Sequence, residues 1–141
     1  MSLKHHDSGS AFPEIKKGTL RLYSMKLCPF AERTRLILAH KKNSVNILNY
    51  FIFEYIYYLL TSYESININL KNPPEWFNKL YPAGEVPVLQ HDDGRLLSES
   101  LIIIEYLDAI FPQNSVTPKD AFKKAKRQIL IGSVSDILSG F

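Results

Sequence analysis

The sequence predicts an α/β domain whose elements follow the order β-α-β-α-β-β-α, with one further helix after it. Three observations carry this prediction. Short stretches that alternate apolar and polar residues, typical of half-buried strands, recur between residues 19 and 97. Proline or a capping residue stands where apolar-periodic stretches begin, as at helix starts. An Asp-Gly turn, Asp93-Gly94, joins the last two strands into a hairpin.

The first half holds a polar extension over residues 1–18, a strand at 19–23 and a helix from Pro29 to about Lys42. Proline suits the first helical position because the N–H that it lacks has no partner there. The adjacent His5 and His6 lie in a terminus that we expect to be mobile. The apolar face predicted for the helix holds Phe30, Leu36 and Ile37.

The second half begins with a strictly alternating strand at 66–70 and a short helix or turn within 73–82. The hairpin strands follow at 86–90 and 95–97. Ser98 is then predicted to cap a helix that runs from about Glu99 to Phe111. The buried face predicted for this helix holds Leu101, Ile104, Leu107 and Ile110. Residues 112–118 are expected to form a linker, and residues 119–141 a last helix.

Composition sets limits on the class of protein. A chain of 141 residues, 45% of them hydrophobic, suffices for one compact domain. Its net charge of +3 comes from lysine and arginine runs without interleaved aromatic residues, so nucleic-acid binding is not expected. One cysteine forms no internal disulfide, and the polar start has no apolar signal region, so we expect a cytoplasmic protein. The scattered histidines predict no metal site.

Cys28 is the candidate nucleophile, because it stands between a predicted strand and a helix that opens at Pro29. A thiol at that point lies near unpaired backbone N–H groups and the positive end of the helix dipole, which stabilise a thiolate. A free cysteine is more often a small buried apolar residue, so Cys28 alone leaves both interpretations open.

The chain resembles the glutathione-binding domain of omega-class glutathione transferases over most of residues 20–112. The phrases that carry the resemblance are Arg21-Leu22-Tyr23-Ser24-Met25, Cys28 through Leu36, Ile66 through Leu70 with Lys71-Asn72, Pro74-Glu75-Trp76-Phe77, Gly84 to Leu89, Glu99-Ser100 and Glu105-Tyr106-Leu107-Asp108. The resemblance implies a thioredoxin-like N-terminal domain over residues 19–111, followed by a remnant of the all-helical C-terminal domain.

The resemblance also implies an enzyme in which Cys28 forms a mixed disulfide with glutathione, the co-substrate, without a metal. Implied activities are thiol transfer, dehydroascorbate reduction and methylarsonate reduction, on small-molecule or protein disulfides. Val86-Pro87 matches the family's cis-proline turn, which pairs with the cysteinyl part of glutathione. Glu99 and Ser100 match the γ-glutamyl site, although plain helix capping also explains both. Phe30 is expected to cover the glycyl end or the thiol, or to belong simply to the core.

Some features of the chain differ from the family pattern. Pro73 stands where the family has a lysine for the glycyl carboxylate, and Lys71 is the candidate replacement. Residues 43–62 form an apolar insert that is shorter in its apolar run than a spanning helix, so membrane association is not expected. In the family, the second domain also contributes to the homodimer. Because only a short helical remnant of that domain is expected here, the sequence does not favour a homodimer.

Other functions stay open at this stage. In other transferase classes a tyrosine or serine hydroxyl near the end of the first strand activates glutathione for conjugation, and Tyr23 or Ser24 could play that part. A catalytically inactive glutathione-binding or protein-interaction fragment is a further alternative. So is a protein like the chloride intracellular channels, which share the fold and the cysteine at the helix start.

Overall fold

The computed structural model describes residues 5–44 and 63–139. Its elements are β1 (His5–His6), β2 (Arg21–Ser24), α1 (Pro29–Ser44), β3 (Glu64–Ile68), α2 (Glu75–Leu80), β4 (Val88–Gln90), β5 (Leu96–Ser98), α3 (Ser100–Ile110) and α4 (Ala121–Ser139). The predicted order is confirmed from β2 to α3, and α4 follows as expected. The predicted insert over 43–62 lies outside the described residues, apart from its first two, which end α1.

The sheet has the strand order β1-β3-β2-β4-β5. β2 runs parallel to β3, which requires the intervening crossover, and antiparallel to β4. β4 and β5 form the predicted hairpin, in which Val88 pairs with Ser98. Gly94 adopts a φ of +88° in its turn, a conformation that side chains other than glycine disfavour. The hairpin therefore ends next to the start of α3.

The core lies on both faces of this sheet. Successive residues of β2 point to opposite sides, so Leu22 and Tyr23 belong to different buried clusters. On one side Leu22 meets α1 and α3, which pack against each other. On the other side Tyr23 packs on Phe77 of α2, with ring centroids 5.4 Å apart. The domain is thus a three-layer α/β/α sandwich. None of the helices within the described ranges is long and apolar enough to span a membrane.

The N-terminal segment differs from the mobile extension that we predicted. His5 and His6 are half-buried and form β1, an edge strand parallel to β3. The segment then turns onto α2, where the Ser8 hydroxyl and the Gly9 N–H donate hydrogen bonds to the Glu75 carboxylate. The polar sequence of β1 gave no strand signal, because main-chain hydrogen bonding to the free edge of β3 does not need an apolar side chain.

The buried faces of two helices also differ from the predictions. Leu36, expected in the core, is 61% exposed, whereas Thr34 and Lys41 on the same helix are fully covered. In α3 the buried stripe holds Ser100, Ile103 and Leu107. Only Leu107 was predicted for that stripe. Residues 101–104 are all apolar, so periodicity could not select which of them faces the sheet.

A buried ion pair joins α1 to α3. The Lys41 ammonium lies 2.6 Å from the Asp108 carboxylate, and both side chains are almost fully covered. Lys41 also donates to the Gln113 carbonyl, and Asp108 accepts bonds from the Val116 and Thr117 N–H groups. The pair therefore ties the start of the 112–118 segment to the domain.

Candidate active site

A cleft of about 390 Å³ opens where the β2–α1 loop, the segment before β4 and the start of α3 meet. Its lining residues are Cys28, Phe30, Leu70, Tyr81, Glu85, Val86, Pro87, Ser98, Glu99 and Ser100. Every residue predicted for the site except Lys71 lies on this cleft.

Cys28 occupies the N-cap position of α1. Its carbonyl accepts the Glu32 N–H at 3.0 Å, and its sulfur accepts the Ala31 N–H at 3.4 Å. The Sγ atom lies 3.7 Å from the Val86 carbonyl oxygen, on the opposite wall. Only 7% of the residue is exposed. The sulfur thus has an N–H donor at the start of α1 on one side and a carbonyl oxygen on the other.

The Val86-Pro87 peptide bond is cis, as the resemblance implied. Val86 and Pro87 are both buried and lead directly into β4. They place a main-chain carbonyl opposite the cysteine sulfur, on the same cleft as Phe30.

The start of α3 forms the other end of the cleft. Glu99, and not the predicted Ser98, is the N-cap residue, and it makes no side-chain capping bond. Its backbone has φ 67° and ψ 112°, a region that costs energy for any residue other than glycine. Within residues 5–44 and 63–139 no cation pairs with its carboxylate. Glu99 and the buried Ser100 therefore face the cleft without serving as side-chain caps.

Lys71 is placed outside the cleft. It is exposed in the turn after β3, where its N–H donates to the Asn69 side chain at 3.1 Å. Sequence reasoning missed four lining residues, namely Leu70, Tyr81, Glu85 and Ser98. Leu70, Glu85 and Ser98 adjoin predicted site residues, so adjacency could have found them, whereas Tyr81 reaches the cleft through the tertiary fold. No group of acidic, histidine and cysteine side chains in the described part of the chain is placed to hold a metal ion.

The hydroxyls of Tyr23 and Ser24 are both bonded to side chains that do not line the cleft. The Tyr23 hydroxyl donates to the Gln90 side chain at 2.6 Å, and the residue is fully buried. Burial raises the pKa of Tyr23 above its ordinary value, against the opposing effect of Arg21, so the phenol stays protonated. The Ser24 hydroxyl accepts a bond from Arg35. Neither residue lines the cleft, which disfavours the hydroxyl mechanism.

Arg35 of α1 holds the loop that carries the cysteine. Its guanidinium donates to the Ser24 hydroxyl at 2.5 Å, the Met25 carbonyl at 3.1 Å and the Lys26 carbonyl at 3.2 Å. The same Met25 carbonyl accepts the Cys28 N–H at 3.1 Å. Arg35 therefore fixes the backbone from which the cysteine is positioned.

Comparison with known proteins identifies relatives of this chain. The family model of the glutathione S-transferase N-terminal domain matches residues 22–115. Glutathione S-transferase omega-1 of Mus musculus is 40% identical over 92% of this chain and 47% of its own length. Pyrimidodiazepine synthase of Drosophila melanogaster is 37% identical over 98% of this chain and 51% of its own length. The chain spans about half the length of these curated relatives.

A solved structure shares the architecture. Glutathione transferase Omega 2C from Trametes versicolor superposes with a TM-score of 0.64 and 29% identity, over 83% of this chain and 48% of its own. The chain therefore belongs to the glutathione S-transferase family and carries its thioredoxin-like N-terminal domain, with omega-class members among its relatives.

Proposed function

We propose that this chain binds glutathione in the cleft and uses Cys28 for glutathione-dependent thiol transfer. One observation carries the proposal: the Cys28 sulfur accepts a helix N–H and opens onto the same cleft as the N-terminus of α3. A reactive sulfur and a site for an anionic peptide end are thereby brought together.

Glutathione has an ammonium and a carboxylate on its γ-glutamyl end, and the start of α3 offers a partner for each. The first N–H groups of α3 and the Ser100 hydroxyl suit the carboxylate. The unpaired Glu99 carboxylate suits the ammonium. The Val86 backbone would then align the cysteinyl part, with its sulfur directed toward Cys28.

The transfer needs only thiols and disulfides. The Cys28 thiolate attacks the glutathione sulfur of a mixed disulfide, which forms a Cys28–glutathione disulfide and releases the substrate thiolate, which takes up a proton. The thiolate of a second glutathione then attacks the glutathionyl sulfur of that disulfide. Glutathione disulfide leaves, and the Cys28 thiolate is regenerated. No second cysteine is required, in agreement with the single cysteine of the chain.

The substrates that fit this cycle are glutathionylated proteins and small mixed disulfides, and dehydroascorbate as a two-electron acceptor for two glutathione molecules. A reducing compartment such as the cytoplasm, which keeps glutathione reduced, is the proposed setting.

The first test is an adduct measurement. We expect intact-protein mass spectrometry to find one glutathionyl group on Cys28 after incubation with glutathione disulfide, and its loss after reduced glutathione is added. Ser100→Ala is expected to slow adduct formation about threefold to tenfold, because one neutral hydrogen bond to the γ-glutamyl end is lost.

A control separates an inactive fragment from a misfolded chain. If the chain unfolds cooperatively in urea and iodoacetamide labels Cys28 in the folded protein, but glutathione disulfide does not, the chain lacks thiol transfer, and the non-catalytic fragment becomes the better account.

Arg35→Gln is expected to lower kcat/KM for thiol transfer about tenfold, because Gln cannot replace the charged bonds to three loop acceptors. The loss should fall mainly on kcat, with the Kd of S-methylglutathione unchanged, since Arg35 does not line the cleft. Arg35→Lys should recover part of the rate. Arg95→Lys, in the exposed pair with Asp93, is the matched control and should leave both values unchanged.

A further inference from the structure

The residues that line the cleft fall into three groups. Ser98, Glu99 and Ser100 lie at the start of α3, and Cys28 and Phe30 lie at the start of α1. Leu70, Tyr81 and Glu85 form the third group, together with Val86 and Pro87. If the γ-glutamyl group lies at α3 and the thiol at Cys28, the third group, which contains Glu85, is left for the third residue of the tripeptide.

Among the side chains that the structure describes, this third group carries negative charge and no compensating cation. Glu85 is exposed and has no ion-pair partner within the described ranges. Among the described residues neither lysine nor arginine lines the cleft, and Lys71 is exposed outside it.

Free glutathione ends in a glycyl carboxylate, which would lie beside the Glu85 carboxylate. Two like charges a few ångströms apart at a water-filled surface repel each other, and no positive side chain among the described lining residues offsets the repulsion. A ligand whose glycyl carboxylate is amidated or esterified avoids this cost. A ligand that carries a cation at this end would instead gain an attraction to Glu85.

We propose that Glu85 is a specificity-determining residue, and that the cleft prefers γ-glutamylcysteinyl thiols whose C-terminal carboxylate is neutralised or replaced by a cationic group. This inference rests on the proposed function, because it uses the γ-glutamyl end at α3 to place the other end. Its substrate class is glutathione amides and esters, including conjugates of glutathione with amines.

The test compares two unreactive ligands by isothermal titration calorimetry on the full chain. The ligands are S-methylglutathione and its glycyl monoethyl ester. We expect the ester to bind about fivefold more tightly at low ionic strength. The preference should shrink toward unity as salt is raised to physiological strength and above, because salt screens exposed charges.

Glu85→Gln keeps the shape of the side chain and removes its charge. It is expected to tighten binding of the free acid and abolish the preference for the ester. Glu105→Gln, an exposed carboxylate on α3 that does not line this cleft, is the matched control and should preserve the preference.

The outcomes separate this inference from the function on which it rests. Equal affinity for the two ligands, tighter binding of the free acid, or a preference that survives Glu85→Gln would overturn the role of Glu85 while glutathione binding stands. Failure of both ligands to bind would overturn the proposed glutathione site and this inference together.

Discussion

Replacing Cys28 with serine is expected to lower kcat/KM for a glutathionylated peptide by about a thousandfold or more. A serine hydroxyl is not ionised near neutral pH and does not attack a disulfide sulfur, so the mixed-disulfide intermediate cannot form. The peptide assay follows the release of its free thiol at saturating glutathione. Binding of S-methylglutathione should change little, because the remaining lining residues are untouched.

The same variant separates the two mechanisms that the sequence left open. If Cys28→Ser keeps substantial thiol-transfer activity, Cys28 is not the nucleophile. If it instead keeps or gains conjugation of glutathione to an electrophile, a hydroxyl mechanism is operating. Tyr23→Phe then becomes the next variant, and on the present geometry it should have no direct effect, since its hydroxyl is bound to Gln90.

Short-range patterns predicted the parts of the fold that local chemistry controls. Pro29 was expected to open a helix, and α1 begins at that residue. The Asp93-Gly94 turn was expected to join two strands, and Gly94 supplies the positive φ that the turn requires. The position of Cys28 at the start of α1 follows from the same local rule, because the residue before a helix faces its free N–H groups.

Features set by tertiary contacts could not be predicted from the sequence. The four apolar residues at 101–104 fit several helix rotations, and only packing against the sheet chose Ile103. Lys71 had the right charge for the glycyl end, but it is exposed in the turn after β3 and does not line the cleft. Glu85 gave no signal, because an isolated exposed carboxylate looks like any surface residue.

The buried pair of Lys41 and Asp108 is the strongest example of a feature that the sequence could not predict. Its partners lie far apart in the sequence, and neither is of a residue type typical of a core. Burial disfavours the charged Asp108 carboxylate and acts to raise its pKa. Hydrogen bonds from Lys41, Ser115, Thr117 and Val116 outweigh that effect and hold the pKa of Asp108 well below its usual range. The charged pair is therefore the form that the native fold requires.

Breaking this pair should destabilise the chain severely. Asp108→Ala is expected to lower the free energy of unfolding by about 3–5 kcal/mol at pH 7, because it leaves the Lys41 ammonium buried without its counter-charge. That is a large share of the roughly 5–15 kcal/mol typical of a folded domain. Urea unfolding followed by circular dichroism measures the loss, and a variant that is unfolded already in water also meets the expectation.

The double variant Lys41→Met, Asp108→Leu tests whether the unpaired Lys41 charge causes the loss of stability in Asp108→Ala. It should be more stable than Asp108→Ala, since no unpaired charge remains and apolar side chains fill the space. Arg95→Gln, which breaks an exposed ion pair, should change the stability little. Equal loss in the double variant and in Asp108→Ala would point to packing or capping, and not to the unpaired charge.

The pH dependence of stability tests how much the charge of Asp108 contributes to the free energy of unfolding. A carboxyl whose pKa is depressed by folding adds stability above its unfolded value of about 4, and that stability is lost as the pH falls toward the native value. The difference in unfolding free energy between the natural chain and Asp108→Asn should therefore be largest near neutrality and shrink below about pH 4. A difference that stays constant from pH 7 to pH 3 would show that Asp108 acts through hydrogen-bond geometry alone, because the amide keeps the shape but not the charge.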